Sequence, residues 1–175
     1  MVTVQSELLM LWLGSDLLLE KLFLRKVKAE DVLDVYNLSN EDAVRKFSIN
    51  PEKIIWEEHL VWFDNILHSN EVIFYVITDC SDQFLGQIRY KIEEKSAIVS
   101  LSLCETIRGK GYSNKLLNES LTLISEERNK LETIIAFVSE DNVASKKLFE
   151  KANFLFCENK SGMLQYMYSI NRGAK

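Results

Sequence analysis

Apolar residues recur along this chain with two different periods, and the switches between them divide it into strands and helices. Residues 21–27 alternate, with Leu22 and Leu24 on one face and Phe23 and Arg25 on the other, which predicts a first strand. Residues 29–38 change to helical spacing through Val32, Val35 and Tyr36, and Asp42 is placed to cap a further short turn reaching Lys46. Asn50-Pro51 marks a break, because the residue before proline is steered out of the helical region. Residues 55–67 predict an amphipathic helix: Trp56, Leu60, Phe63 and Leu67 form one stripe, Glu57, Glu58 and Asp64 lie away from it, and His59 and Trp62 sit at its edge.

Residues 71–78 form a near-continuous apolar run, the pattern of a central strand covered on both faces. Two more strands, 83–92 and 96–104, follow after turns at 79–82 and 93–95, giving an antiparallel meander. In the first of them Ile88, Tyr90 and Ile92 share one face, and Gln87, Arg89 and Lys91 share the other. A helix over 112–127 directs Leu116, Leu117, Leu121 and Ile124 inward. The β-branched run 133–138 follows by crossover, so it pairs parallel with the strand before that helix. Asp141 or Asn142 caps a helix running to Ala152, and 154–158 with 163–170 closes the chain as a hairpin around 159–162. The resulting class is α/β of the α+β kind, with a mixed, mostly antiparallel sheet of six to seven strands and helices on both faces.

Length and charge narrow the picture further. The 175 residues suffice for one domain with a full core, read here as 21–170, preceded by an apolar extension at 1–20 and followed by a short tail at 171–175. The apolar run from Leu8 to Leu19 is interrupted by Gly14-Ser-Asp16, lacks a basic leader and is too short to span a bilayer, so a small helix packed on the domain or on a partner subunit is expected. A net charge of −5 argues against a general nucleic-acid role, because phosphate-backbone binding needs clustered Lys and Arg. Cys80, Cys104 and Cys157 have neither paired nor metal-ligand spacing, which predicts no disulfide framework and no metal, and a reducing cytoplasm as the compartment.

The chemistry concentrates where the strand 96–104 runs into a glycine loop and then a helix. Gly109 and Gly111 permit positive φ and close approach of a ligand to the main chain. The helix opening at Tyr112 offers N–H groups without internal partners and the positive end of its dipole, which favours a phosphate. Arg108 and Lys110 add charge on the same turn. A Walker loop would need Gly at Cys104, and a dinucleotide fingerprint would need a third Gly at Asn114. Instead Arg108-Gly-Lys-Gly-Tyr-Ser113 resembles the acyl-CoA loop of the GCN5-related N-acetyltransferases (GNAT), departing from it in Ser113 at a Gly or Ala place. A second stretch is similar to that family's later motif through Asn142, Ser145, Leu148, Phe149 and Phe154, with Asn153 where the family has Gly. The resemblance runs from Lys21 to Tyr168.

Membership of that family implies that the two parallel strands splay apart after a bulge and admit the pantetheine arm of acetyl-CoA. The main chain of Leu101 to Leu103 would then pair with the pantetheine amides, Asn142 would line the same slot, and the loop Arg108, Gly109, Lys110, Gly111, Tyr112 and Ser113 would hold the pyrophosphate. Lys147 reads either as a solvated helix lysine or as a phosphate contact. Glu105 is the first candidate base for the amine proton and His59 the second, each also readable as an ordinary solvated or core residue. The Tyr that many members use to protonate the departing thiolate is replaced by Phe149. The aromatic helix 55–67 and the strand carrying Gln87 and Arg89 look like the subgroup that acetylates nucleotide-linked amino-sugars, which makes Gln87 and Arg89 candidate acceptor contacts. Other small amines, a protein N-terminus, or a CoA-binding module without turnover stand as alternatives. A homodimer built through an added strand or the N-terminal segment is compatible with the sequence.

Overall fold

The computed structural model describes residues 21–170, so the N-terminal extension and the tail lie outside the described residues. The elements are β1 (Phe23–Lys26), α1 (Val32–Ser39), α2 (Asp42–Arg45), α3 (Trp56–Leu67), β2 (Val72–Thr78), β3 (Phe84–Glu93), β4 (Ser96–Leu103), α4 (Tyr112–Glu127), β5 (Thr133–Ser139), α5 (Val143–Lys151), β6 (Leu155–Lys160) and β7 (Met163–Ser169). They form one seven-stranded sheet in the order β1-β2-β3-β4-β5-β7-β6. Every neighbouring pair is antiparallel except β4 and β5, which are parallel as the crossover predicts.

The run at 71–78 is buried on both faces as expected, yet β2 is one strand in from the edge and β4 occupies the centre. The double burial comes from helices on both sides. On one face Ile73 and Ile77 join Leu116, Leu117, Leu121 and Ile124 of α4 and Phe149 of α5 in the main core. On the other, Phe74 packs with Val35 of α1 and Phe63 of α3 in a smaller one. Fully burying a side chain such as Phe63 stabilises by about 1.5–3 kcal/mol, which ties α3 to the sheet. One polar pair crosses the main core: Ser120 Oγ donates to Leu117 O at 2.7 Å, which leaves it to accept from Tyr90 Oη at 2.6 Å.

The stripe on α3 differs from its pattern. Leu60 is 40% exposed, whereas His59, placed by the sequence at the stripe's edge, is only 1% exposed. Its ring is surrounded by Tyr36, Trp56, Trp62 and Phe63, and Nε2 lies 3.0 Å from Val32 O. A carbonyl only accepts, so that nitrogen carries the proton. Burial pushes the His59 pKa below its ordinary value of 6.5. The unfolded chain therefore binds a proton that the folded chain refuses, and this stability is present above about pH 6.5 and lost as pH falls below it. His59→Phe is expected to flatten the drop in urea midpoint between about pH 7.5 and about pH 5.5, and a drop as steep as the parent's would show that another group carries it.

Two backbone positions explain departures from simple pattern. Asn153, standing where the resembling family has Gly, sits at φ 63, a region that Asn tolerates better than other side chains. The closing hairpin turns more tightly than the sequence indicates: β6 continues to Lys160, and only Ser161 and Gly162 make the turn, at φ 53 and 83.

Candidate active site

β4 and β5 are in register only from Ser96↔Thr133 to Val99↔Ala136, although β4 runs on to Leu103 and β5 to Ser139. Each strand keeps its outer partner over that stretch, β3 through Gly86↔Leu103 and β7 through Ser139↔Met163, so only the inner edges part. The β3–β4 register is continuous, and the splay therefore forms without the bulge in β4 that the sequence resemblance implies.

The direction of the main-chain groups follows from the ladder. Cys104 N–H donates to Leu85 O at 2.8 Å, directly opposite in the β3–β4 register, and bonded and non-bonded positions alternate in an antiparallel pair. Ser100 and Ser102 thus turn their N–H and C=O toward β3, whereas Leu101 and Leu103 turn theirs into the gap. On the facing wall Glu140 N–H donates to Gly162 O and Ile170 N–H to Glu132 O, which by the same alternation points the main chain of Phe137 and Ser139 toward β4. The gap is a slot with two unpaired strand edges, suited to a ligand that carries amides.

At its head, Ile107 is completely buried and pins the loop, after which Gly109 at φ 71 and Gly111 at φ 86 carry the chain into α4. A Cβ at either glycine would meet nothing within 4 Å, so it is conformation and not space that calls for glycine there. No side chain caps α4, and its first N–H groups face outward beside Lys110 and the half-buried Tyr112 and Ser113. By contrast α5 is capped, Asn142 Oδ1 accepting from Ser145 N–H at 3.0 Å. The Arg108 guanidinium pairs with Glu41, in the turn between α1 and α2, and so links the loop to the opposite side of the site. Sequence reasoning missed that partner, which lies 67 residues away and has no local signal.

The structure places Glu105 exposed in the turn just after β4, and Lys147 exposed on α5. His59 is packed in the smaller core with Nε2 occupied, which removes it from proton transfer at the slot. Phe149 is buried against Phe154 in an edge-to-face contact at 5.0 Å. The Cys104 thiol, pushed up to about 11 chiefly by burial, stays protonated at neutral pH and is a poor nucleophile. Gln87 and Arg89 emerge together on the sheet face that carries α1 and α3, opposite Ser102 and Ser100 of β4. On the same face a cavity of about 560 Å³ lies beyond the slot, lined by Lys46 to Ile49, Phe137, Ser139, Ser161, Gly162 and Met163.

A splayed parallel pair beside an uncapped, glycine-led helix is the arrangement of an acyl-CoA enzyme, and a family model described as an acetyltransferase (GNAT) domain matches residues 21–155. The chain belongs to the GNAT acetyltransferase family. As a GNAT acetyltransferase it is an acyl-CoA-dependent N-acetyltransferase. It is 30% identical over 134 residues to YwnH of Bacillus subtilis (strain 168), whose name describes a phosphinothricin acetyltransferase, covering 71% of this chain and 77% of that protein. Its fold is similar to spermidine N-acetyltransferase from Vibrio cholerae in complex with CoA and spermine, with TM-score 0.75 and 19% identity over 86% of this chain and 96% of that one. A crystal structure named for phosphinothricin N-acetylation matches with TM-score 0.73 and 24% identity over 87% and 100% of the two chains. None of these three names an amino-sugar acceptor. Among the described residues no cluster of His, Cys, Asp or Glu is arranged to hold a metal, and no helix is long and apolar enough to cross a membrane.

Proposed function

We propose that this GNAT chain moves the acetyl group of acetyl-CoA to the primary amine of a small molecule by direct attack within a ternary complex. The observation that carries this reading is the slot between Leu101–Leu103 and Phe137–Ser139, whose inward main-chain groups match the amides of pantetheine. Leu101 and Leu103 pair with the arm, and an N–H on the same edge stabilises the oxyanion forming on the thioester. The N–H groups of Tyr112 and Ser113, with Gly109, Lys110 and Gly111, hold the pyrophosphate at the head of α4. Arg108 reaches the same phosphates by exchanging its Glu41 carboxylate for them. Asn142 spends its oxygen on the helix cap and turns its amide N–H₂ to the ligand, while Lys147 steadies the outer phosphates.

In the transfer the ammonium first yields a proton, accepted by Glu105 directly or through water. The neutral amine then forms the N–C bond, the C–S bond breaks, and the thiolate takes a proton, giving an amide, CoA thiol and one net proton. Water or Ser145 supplies the thiolate's proton, because Phe149 has none to give. Direct attack is favoured over a cysteinyl intermediate because Cys104 remains a thiol.

Thiol release from acetyl-CoA, followed over a panel of amino acids, polyamines and nucleotide-linked amino-sugars, tests the proposal. Release with at least one class is expected. Binding of acetyl-CoA without release for any amine would instead make the chain a CoA-binding module.

A further inference from the structure

The slot accounts for the donor, but two polar side chains beside it are only partly satisfied in the folded chain. Gln87 Nε2 donates to Ser39 Oγ at 3.2 Å, while Gln87 Oε1 is buried without any hydrogen-bond partner. Two residues along the same strand face, the Arg89 guanidinium lies 5.0 Å from the centre of the Trp62 ring. That contact occupies one flat side of the cation and leaves its in-plane N–H donors open. Among the described residues no carboxylate comes within 4.0 Å of it, whereas Arg25 holds two and Arg108 one.

A half-buried guanidinium without an anion is costly to keep unless something supplies the missing charge. Burial pulls the Arg89 pKa below its usual value, in keeping with a cation that lacks its partner. Its neighbours on the same face are Phe74 across β2 and Ser100 across β4. Among the described residues that line the adjoining cavity, Lys46 is the one that carries a charge.

We infer that the acceptor is an amine that itself carries an anionic group, of the α-amino-acid kind, with its carboxylate or equivalent oxyanion bound by Arg89 and an amine N–H received by Gln87 Oε1. The inference rests on the acetyl-transfer reading above and specifies its second substrate. Successive positions on one strand face are about 7 Å apart, so Gln87 and Arg89 are neighbours on that face and one small ligand can lie between their side chains. The Arg supplies a planar fork matched to two oxygens, and the amide oxygen leaves the nitrogen lone pair free to face the slot.

The test compares kcat/KM for α-amino acids with that for their carboxamides and for spermidine, in the parent, Arg89→Gln and Arg89→Lys. The parent is expected to prefer an acid over its carboxamide by about 10–100-fold, the span of a charge-assisted hydrogen bond. In Arg89→Gln that preference should fall to about threefold or less, with Arg89→Lys restoring part of it by charge without the fork. Faster thiol release with spermidine or with carboxamides than with any acid overturns the inference, as does an acid preference that survives Arg89→Gln. Should the variants fail to fold, the acid-to-carboxamide comparison in the parent decides alone. The absence of thiol release with every amine tried would refute acetyl transfer itself, a result distinct from either of these.

Discussion

Asp31→Ala is expected to destabilise the chain by about 3 kcal/mol, seen as a lower urea midpoint at unchanged slope. Asp31 is 3% exposed and receives both Arg25 Nη groups, at 2.7 and 2.8 Å, together with the Lys28 N–H at 2.7 Å. Arg25 also reaches Asp82 through Nε at 2.6 Å. One guanidinium therefore joins β1, the turn entering α1 and the β2–β3 hairpin. Removing Asp31 leaves that guanidinium half-paired and the Lys28 N–H without its acceptor, and both costs exceed anything a surface pair would show. Replacing both partners, as Arg25→Met with Asp31→Leu, is expected to recover part of the loss, since no unpaired charge then remains. A cost below about 1 kcal/mol for Asp31→Ala would show that solvent already screens the pair.

Gly111→Val should strike the donor site with little steric disturbance. The glycine holds φ 86 immediately before α4, and an added Cβ meets nothing within 4 Å, so any penalty is one of backbone conformation. A β-branched residue in that region stores about 1–3 kcal/mol, and relaxing it rotates the first N–H groups of α4 away from the phosphate. The expected loss in kcat/KM with acetyl-CoA is about 10–100-fold. Acetyl-pantetheine, which has no pyrophosphate, should lose far less, so the ratio between the two donors collapses. Equal losses with both donors would move the phosphate site elsewhere.

Much of the proposed donor site could be read in the chain itself because its parts are neighbours in sequence. The strand, the two glycines and the apolar stripe of α4 occupy consecutive residues, and their conformational needs are local. The same holds for Asn142, three residues before the N–H it caps. His59 and Leu60 mark the opposite case. Both lie within one helical turn, and which of them faces the core depends on how α3 is rotated against Phe74, a contact made across the fold. The position of β2 one strand from the edge, instead of at the centre, also escapes an apolar run, which reports cover on two faces and not rank in a sheet.

The acceptor half divides in the same way. Alternation along β3 assigns Gln87 and Arg89 to one face, but nothing local to them says that Arg89 lies over Trp62 and lacks a carboxylate, or that one atom of Gln87 is left without a partner. The likeness to amino-sugar enzymes rested on that strand and the aromatic helix. The names of the relatives given above carry no amino-sugar.

What the sequence by itself determined is the order of strands and helices, the parallel crossover between β4 and β5, and the glycine loop that opens α4, because periodicity, turn residues and helix ends act over a few positions. Tertiary structure alone decided where the β4–β5 register ends, that Arg108 is held by Glu41 and that His59 is sealed in the core. Those outcomes are set by contacts between residues 27 to 67 positions apart, whose free energies arise only once the sheet has brought them together.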